Sequence, residues 1–111
     1  MELTEKIARF NKERNWGQFH TPKNLAIGLS LEASELLEIF IWLTDEETKK
    51  LSSKQIGRVK DEVGDVTIYL LNLCEKLDID LIKCASEKLK QNEIKYPVER
   101  AFGSAKKYND L

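Results

Sequence analysis

The sequence predicts an all-α protein, a bundle of four helices. Three observations carry that prediction. Apolar residues recur at alternating gaps of three and four along most of the chain, the mark of amphipathic helices. Only two prolines, Pro22 and Pro97, punctuate it. No segment alternates apolar and polar residues with the period of a strand, and no internal repeat is evident.

The first helix is expected from about Thr4 to Asn15, with Thr4 as a candidate N-cap. The connector NWGQFHTPKN follows, marked as turn-forming by Gly17 and Pro22. Thr21 before Pro22 reads as an N-cap with proline in the first helical position. The second helix then runs to about Trp42. Asp45 and the pair Ser52 and Ser53 bracket a charged link with room for a short helix through EETKKL. A third long helix occupies about Lys54 to Leu77. Asp78 or Asp80 opens the fourth, whose apolar positions Leu81, Ile82, Ala85 and Leu89 continue to about Lys95, where Pro97 stops it. One domain over 1–111 is expected, with its core at about 4–97 and a weakly ordered tail at 98–111.

Composition narrows the function classes. Hydrophobic residues make up 41% of the 111 and charged residues 33%, an ordinary soluble balance. Eighteen basic against 19 acidic side chains leave a net charge of −1, with no basic run, so a duplex nucleic-acid binder is excluded. No apolar stretch approaches membrane-spanning length, and MELTEKIARF lacks the features of a signal peptide. A cytoplasmic location is the default expectation. Cys74 and Cys84 fit neither a zinc spacing nor a disulfide framework and read as small hydrophobes.

Four carboxylates stand where two helices should bury hydrocarbon. Glu32 and Glu35 lie in LSLEASELLEIFIW, and Glu62 and Asp65 in VKDEVGDVTIYLL. Each pair is spaced i,i+3, which projects both groups from one side of a helical turn. On the second helix Leu25, Leu29, Leu36, Ile39, Phe40 and Leu43 form the main apolar stripe, and at about 100° per residue Glu32 falls within it and Glu35 at its edge. On the third, Ile56, Val59, Val63, Val66, Leu70 and Leu73 form the inward stripe, with Glu62, Asp65 and Tyr69 along its flank. Packing the stripes together makes the carboxylates converge. Solvated faces with salt bridges are the alternative, but Glu32 and Glu35 have no Lys or Arg three or four positions away. Unpaired anions in an apolar layer are costly, so a divalent ion is expected to neutralise them. The single His20 cannot build a histidine site; an all-oxygen set favours a hard ion, Mg²⁺ first and Mn²⁺ second.

Ile27, Leu31, Leu37 and Ile41 fall outside the main stripe, so the second helix is apolar nearly all round. Such a helix is buried all round. A homodimer or homotetramer with this helix at its centre is therefore expected. Gly64 lies inside the third helix, where glycine costs up to ~1 kcal/mol relative to alanine. A close helix approach or substrate access is the expected reason.

These motifs resemble the MazG-like all-α nucleoside triphosphate pyrophosphohydrolases, in particular their dCTP pyrophosphatase branch. The resemblance spans about Phe10 to Pro97 and rests on RNWGQFHTPKNL, LEASELLEIFIW, DEVGDVTIYLL and IKYP. The family pairs an ExxE on one helix with an ExxD on the next, matched here by Glu32/Glu35 and Glu62/Asp65. It implies a MazG-like helical bundle and Mg²⁺-dependent hydrolysis of a nucleoside triphosphate to the monophosphate and pyrophosphate. The implied substrate is dCTP or a base-modified pyrimidine deoxynucleotide, and the implied role nucleotide-pool sanitation. Glu32, Glu35, Glu62 and Asp65 would be the metal ligands, and Glu35 or Glu38 would orient the attacking water; the sequence leaves that choice open. Trp16, Phe19, His20, Trp42 and Tyr69 would form the base and sugar pocket, Lys23, Asn24, Lys95 and Tyr96 a phosphate-binding set. Two other readings fit the same pattern: a non-catalytic nucleotide-binding or regulatory module, and a purely structural helical oligomer.

Overall fold

Short polar signals set where each helix begins. In the computed structural model, which describes residues 2–111, Thr21 accepts a hydrogen bond from the Asn24 backbone N–H at 3.1 Å, and Pro22 opens helix α2, Pro22–Phe40. Helix α1 precedes it as Leu3–Glu13. The cap position there is Glu2, not Thr4: the ladder already starts at the Glu2 carbonyl, which accepts from Lys6 at 3.1 Å, so Thr4 lies inside the first turn. Asn15 adopts the left-handed conformation (φ 53°), which asparagine tolerates better than most residues, and breaks the chain between α1 and a 3₁₀ turn at Trp16–Phe19.

α2 ends two residues short of the expected Trp42. Ile41 still donates to Leu37, but Leu43 then donates to Phe40, an i,i+3 tightening that closes the last turn. Helix α3, Asp45–Thr48, is a single turn held by a capping box between Thr44 and Glu47. Helix α4, Ser53–Lys76, carries a second capping box, Ser52 with Gln55. Asp78, at φ 54°, turns the chain out of α4, and Asp80 caps helix α5, Leu81–Lys95, by accepting from the Lys83 N–H at 3.0 Å. A further turn of helix, α6 at Val98–Ala101, and a 3₁₀ turn at Tyr108–Asp110 occupy the segment read from sequence as tail. Among the described residues there is no strand, and the four long helices are α1, α2, α4 and α5. The all-α class is as the sequence predicts.

The chain divides into two compact units, Met1–Asp78 and Ile79–Leu111. In the first, α2 packs along α4 in the most extensive helix pairing of the chain, and α1 lies against α4 and the 3₁₀ turn. Leu25 and Ile39 are buried on α2, with Leu29, Leu36 and Phe40 partly covered, which is the main stripe read from sequence. On α4 the stripe is partly covered at Val59, Val66, Leu70 and Leu73; Ile56 and Val63 stand half open. At Gly28 α2 lies directly against the ring of Tyr69 on α4, leaving no room for a side chain. Gly64, for which the sequence predicts a close helix approach or substrate access, has no neighbour within 4 Å of where a Cβ would lie, so the close approach does not occur there.

α2 keeps a second apolar face uncovered: Ile27, Leu31, Leu37 and Ile41 are each about half exposed or more. In the second unit α5 leaves Ile82, Leu89 and Ile94 exposed. Tyr96 sits edge-on to Tyr108 at 6.2 Å, with the Lys95 ammonium 5.0 Å over the Tyr108 ring. Cys74 is buried and Cys84 exposed, and both are free thiols.

Candidate active site

The i,i+3 spacing on each of two packed helices does what helical geometry requires. One carboxylate oxygen each from Glu32, Glu35 and Glu62 lie within 4.8 Å of one another. Asp65, one turn beyond Glu62, faces the same centre closely enough to act on Glu32 electrostatically. No lysine or arginine neutralises them: the ion pairs among the described residues, Arg9–Glu13, Arg14–Glu13 and Lys49–Glu46, are all on the surface elsewhere.

Two oxygens are left without any partner, Glu32 Oε2 and Glu62 Oε2, both buried. Glu32 is accordingly pushed up from an ordinary 4.5 to about 7, first by loss of solvation, then by the facing carboxyls of Glu62 and Glu35 and the charges of Glu35 and Asp65. A buried acceptor left unsatisfied is a marked energetic fault in a native fold. A divalent cation held by Glu32, Glu35, Glu62 and Asp65 would relieve the fault by supplying positive charge beside the orphaned oxygens. The all-oxygen set fits a hard ion such as Mg²⁺ or Mn²⁺.

Beside the carboxylates opens a cleft of about 470 Å³ between α1, the 3₁₀ turn, α2 and α4. Of the residues singled out in the sequence it gathers Trp16, His20, Tyr69, Glu32 and Asp65. Trp16 is braced edge-on by Phe10 at 5.4 Å and by His20 at 6.4 Å, which gives one wall a fixed aromatic corner. Arg14 caps that corner with its guanidinium 3.7 Å over the Phe10 ring.

Other candidates lie outside the cleft. Phe19 is exposed and its carbonyl accepts from the Asn24 side-chain amide at 3.0 Å, so Asn24 ties the connector to the start of α2. Lys23 is exposed on the first turn of α2. Trp42, just beyond the end of α2, is 85% exposed. Glu38 is exposed and does not join the three close oxygens, whereas Glu35, also exposed, does. Lys95 and Tyr96 belong to the second unit, packed on Tyr108 as described.

The cleft also contains residues that sequence reading missed. Lys6, Phe10 and Asn11 come from α1, and Ile68 and Asn72 from α4. Asn11 donates from Nδ2 to Asn72 Oδ1 at 2.8 Å, joining the two helices through side chains. Asn72 had a usable signal: it continues the run Glu62, Asp65, Tyr69 at the same alternation of three and four. The α1 residues had none, because only packing brings that helix to the site.

Comparison with known proteins gives the family. A MazG-like family model matches residues 27–111, and the chain belongs to that family. Rat (Rattus norvegicus) dCTP pyrophosphatase 1 is 40% identical over 106 residues, covering 94% of this chain and 62% of the rat protein. The human (Homo sapiens) dCTP pyrophosphatase 1 is 38% identical, with 94% of this chain and 62% of that protein aligned. The chain thus spans about 62% of the length of these curated relatives. A crystal structure of a pyrophosphatase from Archaeoglobus fulgidus superposes with a TM-score of 0.82 at 42% identity, covering 86% of this chain and 89% of that one.

Proposed function

We propose that this chain is a divalent-metal-dependent nucleoside triphosphate pyrophosphohydrolase, releasing the monophosphate and pyrophosphate from dCTP or a modified pyrimidine deoxynucleotide. The observation that carries the reading is the pair of buried, partnerless oxygens on Glu32 and Glu62, in a carboxylate cluster that no ion pair among the described residues neutralises. The relatives named dCTP pyrophosphatase 1 support the choice of base.

Glu32, Glu35, Glu62 and Asp65 are the residues that would hold the ion, Mg²⁺ or Mn²⁺. When bound, such an ion neutralises charge on the triphosphate oxygens and supplies an acidified water. Phosphoryl transfer asks the rest of the protein mainly for positioning and a fixed electrostatic environment. Glu35 is better suited than Glu38 to orient the attacking water, because it is exposed yet contributes an oxygen to the cluster. Trp16, held by Phe10 and His20, offers an aromatic face to a base or sugar, and Tyr69 stands one turn along α4 from Asp65. The uncovered apolar face of α2 supports a homodimer or homotetramer, and a cytoplasmic location goes with the substrate.

The test resolves the products chromatographically over a panel of canonical and modified triphosphates. One monophosphate and one pyrophosphate per substrate are expected, with no early orthophosphate. Orthophosphate as first product overturns the reading. Tight nucleotide binding without turnover in Mg²⁺ or Mn²⁺ would indicate a binding module instead. Glu35→Gln and Asp65→Asn are expected to abolish turnover with the helical circular dichroism unchanged.

A further inference from the structure

We propose that Asn11 and Asn72 read the hydrogen-bonding edge of the nucleobase and thereby set which base the cleft accepts. The proposal rests on the nucleotide-hydrolase reading above and adds the specificity element to it.

Asn72 is a buried polar residue, only 9% exposed, and the apolar Ile7 and Ile68 line the same cleft. Its partner Asn11 reaches it from another helix at 2.8 Å, and both amides line the same cleft as Trp16, Tyr69, Glu32 and Asp65. A primary amide has two donors and an acceptor with two lone pairs. The bond between them uses one donor of Asn11 and one lone pair of Asn72. Besides one remaining N–H of Asn11 and one remaining lone pair of Asn72, the carbonyl of Asn11 and the amino group of Asn72 are left over, an acceptor beside a donor. That pair complements an edge carrying an amino donor next to a ring-nitrogen acceptor, as cytosine does.

The placement along α4 agrees. Asp65, Tyr69 and Asn72 follow one another at steps of four and three, so at about 1.5 Å per residue Asn72 sits about 10.5 Å along the helix from the acidic end, with Tyr69 between. The order acid, phenol, amide matches the order phosphate, sugar, base in a nucleotide. Stability gives a weaker reason for the pair. Two amides at a helix interface can be replaced by apolar groups of similar shape at little net cost, whereas one amide deprived of its partner is penalised. Recognition exploits that asymmetry. A site built to hydrogen-bond a substrate group discriminates strongly against an analogue lacking it, because its own polar groups are then stranded.

The experiment compares kcat/KM for dCTP, dUTP and the triphosphate of 2-pyrimidinone deoxyriboside, which lacks the amino group, in wild type, Asn11→Ala and Asn72→Ala. Calorimetric Kd values for dCMP and dUMP are measured alongside. Wild type is expected to favour the amino-bearing base over the deamino analogue by about 10-fold or more, the worth of a hydrogen bond left unmade. Each substitution is expected to collapse that ratio toward one. A loss equal for all bases means a helix-registering role only and overturns the proposal. So does a wild-type enzyme that treats dCTP and its deamino analogue within about twofold, a measurement that needs no variant to fold. Hydrolysis of triphosphates with an unaltered base ratio sinks this inference and leaves the hydrolase reading standing. Absence of any hydrolysis sinks the latter, and the monophosphate affinities still decide whether the amides select the base.

Discussion

Gly28→Ala is the perturbation whose consequence the structure defines most sharply. A Cβ at position 28 would lie 2.6 Å from Cζ and 2.8 Å from Cδ1 of Tyr69, and closer still to Cε1. Carbon atoms in contact prefer about 3.5–4.0 Å, so the ring has to move by more than about 1 Å. Overpacking of this kind costs about 1–3 kcal/mol. Against that, alanine replaces glycine inside a helix and gains up to about 1 kcal/mol of propensity. The net expectation is a destabilisation of about 1–2 kcal/mol, read as a lower denaturation midpoint with an unchanged slope. Activity should fall further than stability, because the displaced group is the phenol that lines the cleft, and a misplacement of about 1 Å can cost as much as about 100-fold. The control is a double-mutant cycle with Tyr69→Ala, which removes the obstructing ring. The cost of Gly28→Ala should largely vanish in that background, with a coupling of about 1 kcal/mol or more. A Gly28→Ala protein as stable as wild type, or one whose cost is the same with and without Tyr69, would refute the reasoning.

Three further outcomes are expected. Because the folded-state pKa of Glu32 is raised from 4.5 to about 7, its contribution favours the metal-free fold fully below about 4.5 and is lost as pH rises through about 7. Calorimetric Tm values in EDTA should therefore fall across that window relative to Glu32→Gln, and Mg²⁺, which binds the deprotonated carboxylates, should stabilise more as pH rises; a wild-type Tm rising relative to Glu32→Gln in EDTA contradicts this. Leu31→Asp, on the uncovered face of α2, should shift the protein to a smaller species by light scattering, and an unchanged mass rules that face out as a subunit contact. Ser52→Ala removes the side chain that caps α4 and should cost about 1 kcal/mol in chemical denaturation, while an unchanged midpoint would mean the capping box is not formed in solution.

What could be read in the sequence followed from local rules. Thr21 before Pro22 announced the start of α2, and the i,i+3 acids announced their own convergence once two apolar stripes had to pack face to face. Thr4 misled because a threonine near a helix start is also compatible with the first turn, and the ladder began two residues earlier, at Glu2. The two capping boxes, at Thr44 and Ser52, carried the [S/T]xx[E/Q] pattern openly and could have fixed both boundaries. Glycine spacing, by contrast, carries no label. Gly28 and Gly64 are both helical, yet only Gly28 has a neighbour at its missing side chain, and that neighbour comes from another helix.

The site divides along the same line. The stripe Glu62, Asp65, Tyr69 is visible as a pattern of charge and aromaticity, and it ends where Asn72, neither charged nor aromatic, continues it. An asparagine on a helix flank looks like a solvated residue until a second amide is found opposite it. That second amide lies on α1, 61 residues away in the chain, and no periodicity connects the two. Charge clusters are legible because burying them is so unfavourable that the sequence has few ways to explain them. A neutral amide pair is cheap to bury once paired, so it leaves no such trace. By this logic the clustered acids, proposed to hold the metal, are the part of such a site most exposed to sequence reading. The amides proposed to choose the base are the part most hidden from it, and comparing Asn11→Ala with Asn72→Ala against a panel of bases reaches them directly.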